Sequence, residues 1–149
     1  MSRIIHAGET PAKRRRQLER SCAEALRTLG AKPALASGVW DLEAKDLAAF
    51  LAHNLREIGE TIEGSAQSWD DRNYWKKSEK LRADWRWAPQ TADAMEVALL
   101  AADWPAATDA LVALIPRFAH VNVGKRLRDA DWWAGAYRAL KKRAAAPGA

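Results

Sequence analysis

The chain contains 149 residues, a length typical of one domain, and we expect a single helical domain over 1–149 with flexible ends at 1–9 and 144–149. Hydrophobic residues make up 48% and charged residues 29% of it, and 24 Lys and Arg against 19 Asp and Glu give a formal net charge of +5. This balance is typical of a globular protein. It excludes a collagen-like chain, a disordered tail and, because there is one cysteine, a disulfide-stapled miniprotein.

Alanine and tryptophan are both unusually frequent. The chain has 32 alanines, and 8 tryptophans beside only 2 tyrosines and 2 phenylalanines. Valine, isoleucine and threonine together number 15, so strand propensity is low and helix propensity is high. The sequence therefore predicts an all-α fold, a single-domain bundle of about five to six helices with short loops.

The first half of the chain predicts two helices. Pro11, preceded by a threonine that can cap the helix, begins the first one, which ends at Gly30. The stretch 31–38 is predicted to be a loop because it contains proline, serine and glycine. Asp41 caps the second helix, which Gly64 is expected to end.

The second half predicts four more elements. The spacing within 68–71 matches a capping box and predicts a third helix that runs to about Ala88. A short fourth helix covers 91–102. Asp103 is expected to cap a fifth helix and Asp131 a sixth.

Charge is distributed very unevenly along these elements. The net charge is +5 over 1–40, −4 over 41–68, +2 over 69–88, −3 over 89–120 and +5 over 121–149. Both ends of the chain are therefore strongly basic, and the middle is mixed or acidic.

Three groups of cations, here called the three strips, are the candidate phosphate-binding residues. The first strip, in the first helix, is Lys13, Arg14, Arg15, Arg16 and Arg20; the second is Arg72, Lys76 and Lys80; the third is Lys125, Arg126, Arg128, Lys141, Lys142 and Arg143. For the first strip, two alternatives are a solvated face and docking against the acidic second helix of the same molecule.

Two tryptophans lie on the face of the second strip. At 100° per residue, Trp69 and Trp87 lie within about 40° of Lys76, whereas Tyr74 and Trp85 lie on the opposite face. Aromatic rings interleaved with cations suit single-stranded nucleic acid, because indoles stack on bases while Lys and Arg neutralise phosphates. Ordinary packing at the helix ends is the alternative for both residues. The tryptophans expected to fill the alanine-rich core are Trp75, Trp85, Trp104 and Trp132.

Motifs for chemistry are missing. The sequence has no glycine-rich phosphate loop, nucleophile elbow or zinc motif, so we expect no cofactor, metal or catalytic residue. His53 and Glu57 are four residues apart and predict an ordinary polar contact, because one such pair supplies too few metal ligands. Cys22 shares a helical face with Leu18 and is expected to be a buried thiol. The most apolar stretch, 94–115, contains three carboxylates, so no membrane span is predicted and the cytoplasm is the expected compartment.

These observations favour a non-enzymatic helical subunit that binds nucleic acid, with single strands as the expected form, together with other protein subunits in a larger assembly. In its small size, helicity and basic ends, the chain is similar to the small helical subunits of CRISPR ribonucleoprotein effectors, a similarity of class that assigns no residue. One alternative is a helical adaptor for protein association or oligomerisation without a nucleic-acid role. Another is a small helical enzyme whose carboxylates assemble only in three dimensions.

Overall fold

A computed structural model describes residues 9–125 and 128–146 of the chain. The helices are α1 (Pro11–Gly30), α2 (Pro33–Ala36), α3 (Leu42–Asp71), α4 (Trp75–Trp85), α5 (Trp87–Leu100), α6 (Trp104–Phe118) and α7 (Ala136–Ala145), with a 3-10 turn at Ala130–Trp132. Six of these helices have ten residues or more, and the described ranges contain no strand. The predicted all-α bundle is confirmed.

The first helix has the predicted bounds. The Thr10 hydroxyl accepts a hydrogen bond from the Lys13 amide (3.1 Å), and Pro11 follows at a position that needs no donor. Leu18, Cys22, Ala25 and Leu29 on one face are buried, as expected, and Leu26 is half-buried. The predicted loop after it contains the single turn α2, which buries no residue.

The central helix α3 is longer than predicted. Asp41 caps it as expected, accepting from the Ala44 amide at 2.8 Å, but Gly64 does not end it. A Cβ at Gly64 would lie 3.4 Å from Cγ of Pro11, so the glycine lets the first turn of α1 pack closely against α3. This tertiary contact explains why the glycine lies inside the helix.

The predicted third helix, 68–88, was wrong at both ends. Its expected capping residues are the last turn of α3, and α4 starts only at Trp75. Pro89 does not stop the chain from being helical, because it occupies the third position of α5, where its missing N–H has no intrahelical acceptor.

The cap of the last helix comes from a distant residue. Asp131 was expected to begin this helix, but it lies in the 3-10 turn, and α7 starts after Gly135. The buried carboxylate of Asp46, on α3, accepts from the amides of Gly135 (3.2 Å) and Tyr137 (2.9 Å). Asp103 caps α6 as predicted.

Helix α3 is the centre of the bundle. It contacts α1, α4, α5 and α7, and Leu47, Leu51, Leu55 and Ile58 along it are fully buried. Helix α4 packs on the carboxyl-terminal part of α3, and α7 packs beside its amino-terminal part. The turn between α3 and α4 therefore lies at one end of the molecule.

Two of the four tryptophans expected in the core are exposed. Trp85 and Trp104 pack against the core as predicted, but Trp75 is 63% and Trp132 57% exposed. Trp75 is the first residue of α4, a helix in which only Ser78 is fully buried. Its side chain therefore lies beyond the part of α4 that contacts α3.

Candidate nucleic-acid interface

The turn between α3 and α4 is fixed by its backbone. The amide of Asn73 donates to the Asp70 carbonyl and that of Tyr74 to the Trp69 carbonyl, both at 2.9 Å. Asn73 has φ of 64°, a left-handed conformation that asparagine tolerates better than most residues. These bonds close the end of α3 and direct α4 back along it.

Side chains brace the same turn. The Asp70 carboxylate accepts from the Ser78 hydroxyl (2.5 Å) and from Arg82 (3.0 Å), and Arg82 also pairs with Glu63 (3.0 Å). The hydrogen bond from Ser78, followed by the Arg82 guanidinium, holds the pKa of Asp70 below its usual range. The residues after Asp70 are thus presented from a rigid base.

Aromatic and cationic side chains lie close together at the turn between α3 and α4. We call the set the aromatic turn; it consists of Trp69, Arg72, Tyr74, Trp75, Lys76 and Lys77. Tyr74 is 49% and Trp75 63% exposed, whereas Trp69 is half-buried. Lys77 Nζ lies 4.7 Å from the Trp69 ring and 5.4 Å from the Tyr74 ring, and Arg72 lies 5.3 Å from Trp69. The two exposed rings therefore lie beside the exposed cations Arg72, Lys76 and Lys77. The exposed carboxylate of Asp71, which accepts a hydrogen bond from Gln67 at 3.0 Å, lies at the same end of α3.

The first strip is divided between solvent and the protein interior. Lys13 and Arg16 are exposed. Arg14 pairs with the buried carboxylate of Glu57 (2.6 Å), and Arg15 donates to the Thr61 hydroxyl (3.2 Å). Arg20 donates to the Val123 carbonyl. These three arginines make the contacts expected of docking within the same molecule. Arg14 and Arg15 contact α3, the helix predicted as the second, and Arg20 contacts the segment after α6.

The second strip lies on the aromatic turn and α4. Arg72 and Lys76 belong to the turn and are exposed, and Lys80 pairs with Asp84 at 3.0 Å. Lys77 was missed by the sequence analysis because it lies 100° from Lys76 on a helical wheel. In the structure it lies against both Trp69 and Tyr74, whose rings meet edge-on with centroids 5.7 Å apart.

The third strip lies away from the aromatic turn. Arg128 pairs with the buried Glu24 at 3.0 Å, and Lys125 is exposed. Lys141, Lys142 and Arg143 are exposed on α7, whose first turn is tied to Asp46. Arg126 lies outside the described residues. The structure thus brings the second strip to the aromatic turn, and it places the third beside other parts of α1 and α3.

Trp87 has a different environment from Trp69. It stacks on Trp85 with centroids 5.5 Å apart, meets Phe118 edge-on at 5.7 Å, and has Arg117 4.7 Å from its ring. Arg15 in turn lies 5.8 Å from the Trp85 ring. These contacts join α1, the α4–α5 junction and α6. Trp87 therefore packs within the bundle, which is the alternative that the sequence left open for this residue.

Tyr74 and Trp75 are residues that the sequence analysis missed. The assumption of one continuous helix placed Tyr74 on the core face and Trp75 beside it. Asn73, directly before them, was the available signal, since asparagine is favoured at the left-handed position that follows a helix. A helix break there removes both aromatic residues from the predicted core face.

His53 and Glu57 form the expected local contact. His53 Nε2 lies 2.8 Å from Glu57 Oε1, and the other Glu57 oxygen binds Arg14. Within the described ranges, no group of three or more His, Cys, Asp or Glu side chains could hold a metal ion. Burial raises the pKa of the Cys22 thiol, which therefore stays protonated.

Comparison with protein-family models, with curated proteins and with solved structures finds no match to the chain. Among the described helices, none is both long and apolar enough to cross a membrane. The interpretation of the aromatic turn therefore depends on its own geometry and charge.

Proposed function

We propose that the chain is a non-enzymatic helical subunit that binds single-stranded nucleic acid through the aromatic turn, together with other protein subunits. The observation that carries this proposal is the exposure of Tyr74 and Trp75 beside the cations Arg72, Lys76 and Lys77. Tyr74 and Trp75 are consecutive in the chain and both exposed, and neighbouring exposed apolar groups rimmed by polar side chains are typical of interaction sites.

The chemistry of the turn favours a single strand over a duplex. An exposed indole stacks on the face of an unpaired base, and such stacking contributes about 1–3 kcal/mol per base. In a duplex these faces are already covered by neighbouring bases. The cations contribute a salt-dependent attraction to phosphates. The carboxylate of Asp70, which braces the turn, is paired with Arg82.

The decisive experiment is a fluorescence titration with single- and double-stranded oligonucleotides at two salt concentrations. We expect quenching by single strands, with a log–log salt slope of about 0.7 per phosphate neutralised. Trp75→Ala should weaken binding by roughly tenfold or more, because one stacking contact is lost. Trp132→Ala is the matched control, since Trp132 is similarly exposed (57%) and lies away from the turn.

A charge series separates the turn from general basicity. Replacing Lys76 and Lys77 by Gln should weaken binding and lower the salt slope by about 1.4. The same change at Lys141 and Lys142 on α7 removes equal charge and should leave both the affinity and the salt slope almost unchanged. Equal losses for the two double variants, or no binding of the unmodified chain at low salt, would contradict the proposal.

Protein association is a second candidate function, and one observation favours it. Val97 on α5 is 67% exposed, and Val112 and Ile115 on α6 are each 57% exposed. Helix α6 carries only two charged side chains, Asp109 and Arg117. Light scattering after size exclusion would show an oligomer or a bound partner, and the double variant Val112→Ser, Ile115→Ser should abolish it.

A further inference from the structure

A cleft of about 650 Å³ opens between α3 and the elbow at which α4 meets α5. Its α3 wall runs from Arg56 to Glu63, and its elbow wall runs from Arg82 to Pro89. Each wall is one row of side chains at helical spacing. The volume lies in the range of small-molecule sites, which is about 300–1,000 Å³.

Ion pairs fix the two ends of this cleft. Arg82 pairs with Glu63 across one end (3.0 Å), and Arg56 pairs with Glu96 (2.6 Å) and Asp93 (2.5 Å) at the other. Hydrogen bonding to Glu96 raises the pKa of Arg56 further, so both arginines stay charged and engaged within the protein. Between these two ends the walls approach each other at Gly59 and Pro89, since a Cβ at Gly59 would lie 3.8 Å from the proline ring, so the cleft is a groove open to solvent.

The middle of the cleft is apolar and contains an indole. Ile62 is 4% exposed, Pro89 is half-buried, and Trp85 lines the same space. Trp85 is held in place by stacking on Trp87 and by the Arg15 guanidinium 5.8 Å from its ring. A flat apolar group can pack here against a surface that is already formed.

Two charged side chains remain for a ligand. Glu60 lines the α3 wall and Arg86 the elbow wall, and both are exposed. Neither side chain makes an ion pair or a hydrogen bond with a residue that the structure describes. A ligand that fits the cleft therefore has an anionic group for Arg86, a hydrogen-bond donor for Glu60 and a flat body between them.

We propose that this cleft binds one nucleotide unit whose base carries an exocyclic amino group, such as cytosine, with its phosphate on Arg86 and its amino group on Glu60. The inference rests on the proposed function, because the nucleotide is taken to belong to the strand held at the aromatic turn. Helix α4 joins the two places, since Trp75 and Trp85 are its first and last residues and lie about 15 Å apart along its axis. A strand that leaves the turn along α4 reaches the cleft.

The test uses the full chain labelled with 5-fluorotryptophan, in which each indole gives its own fluorine resonance. The resonances of Trp85 and Trp75 are assigned by Trp→Phe variants. Cytidine monophosphate should shift the Trp85 resonance in a saturable way, and uridine monophosphate should bind more weakly because uracil has no amino group.

Variants complete the test. Arg86→Gln should weaken binding of cytidine monophosphate by roughly tenfold. Arg138→Gln is the matched control, because Arg138 is an exposed arginine on α7. Glu60→Ala should remove the preference for cytidine over uridine monophosphate. Circular dichroism confirms that each variant is folded.

The possible outcomes separate the cleft from the aromatic turn. The proposal is overturned if cytidine monophosphate leaves the Trp85 resonance in place, or if inorganic phosphate shifts it equally. If an oligonucleotide shifts the Trp75 resonance but cytidine monophosphate does not shift that of Trp85, the proposed function is retained and nucleotide binding in the cleft is refuted. The reverse result would support the cleft as a nucleotide site and refute binding at the turn.

Discussion

Asp46 provides the sharpest test of how the bundle is held together. Asp46 is 6% exposed, and its carboxylate accepts hydrogen bonds from the amides of Gly135 (3.2 Å) and Tyr137 (2.9 Å). Asp46→Ala leaves both amides at the start of α7 without their acceptor. A capping side chain contributes about 0.5–2 kcal/mol and a hydrogen bond to a charged group about 1.5–3 kcal/mol. Because one residue serves two amides, we expect the free energy of unfolding to fall by about 2–3 kcal/mol.

Urea unfolding followed by circular dichroism measures this loss. The control is Asp103→Ala, which removes an exposed cap that accepts one bond of 3.2 Å from the Ala106 amide. It should cost about 1 kcal/mol or less. Hydrogen exchange should also become faster in α7 than in α6 when Asp46 is replaced. Equal destabilisation by the two variants, or unchanged exchange in α7, would refute the view that α3 caps α7.

Three further predictions concern backbone strain, pH and exposed aromatics. Ala102 has φ of 54°, a left-handed conformation that strains alanine, so Ala102→Gly should raise the free energy of unfolding by about 0.5–1 kcal/mol. Ala94→Gly on the exposed face of α5 should lower it by about as much. A change of the same sign for both variants in urea unfolding would contradict this prediction. The lowered pKa of Asp70 stabilises the fold above the ordinary aspartate pKa, and this contribution is lost as the pH falls through the folded-state pKa. The stability difference between the natural chain and Asp70→Asn should therefore be constant near pH 6 and shrink below about pH 4, and a difference that stays constant to pH 2.5 would refute it. Trp75→Ala should change the free energy of unfolding by about 0.5 kcal/mol or less, whereas Trp133→Ala, at a site 6% exposed, should lower it by about 3–5 kcal/mol; a comparable loss at both sites would show that Trp75 is part of the core.

Local signals in the sequence predict the helices whose ends are capped locally. The first helix and the start of the second were predicted correctly because Thr10 and Asp41 each cap an amide three residues ahead. The start of α7 could not be predicted this way, since its cap, Asp46, lies 89 residues before the Gly135 amide. Gly64 was misinterpreted for the same reason. The contact that explains it is made with Pro11, which is distant in the sequence.

The candidate site was predicted only in part. Trp69, Arg72 and Lys76 were identified from the sequence as neighbours on one face. Tyr74 and Trp75 were assigned to the core or its edge, because an angular count is valid only within one continuous helix. The break at residues 72–74 shifts the phase of everything that follows it. Composition also does not show which of the predicted phosphate-binding arginines have partners in the fold, and the structure gives partners to Arg14, Arg20 and Arg128.

The length of α3 explains why the aromatic turn is exposed. Pro11, at the start of α1, lies against Gly64, so the last seven residues of α3 extend about 10 Å past the beginning of α1. The side-chain contacts that brace this extension come from α4, through Ser78 and Arg82. Asp70 makes these polar contacts, and of the two aromatic residues that follow, Tyr74 meets only the edge of Trp69 at 5.7 Å in the aromatic contacts of the described chain and stays 49% exposed, while Trp75 is 63% exposed. The structure of the described chain thus presents Tyr74 and Trp75 outward, away from the core, and this arrangement is the physical basis of the binding role proposed for them.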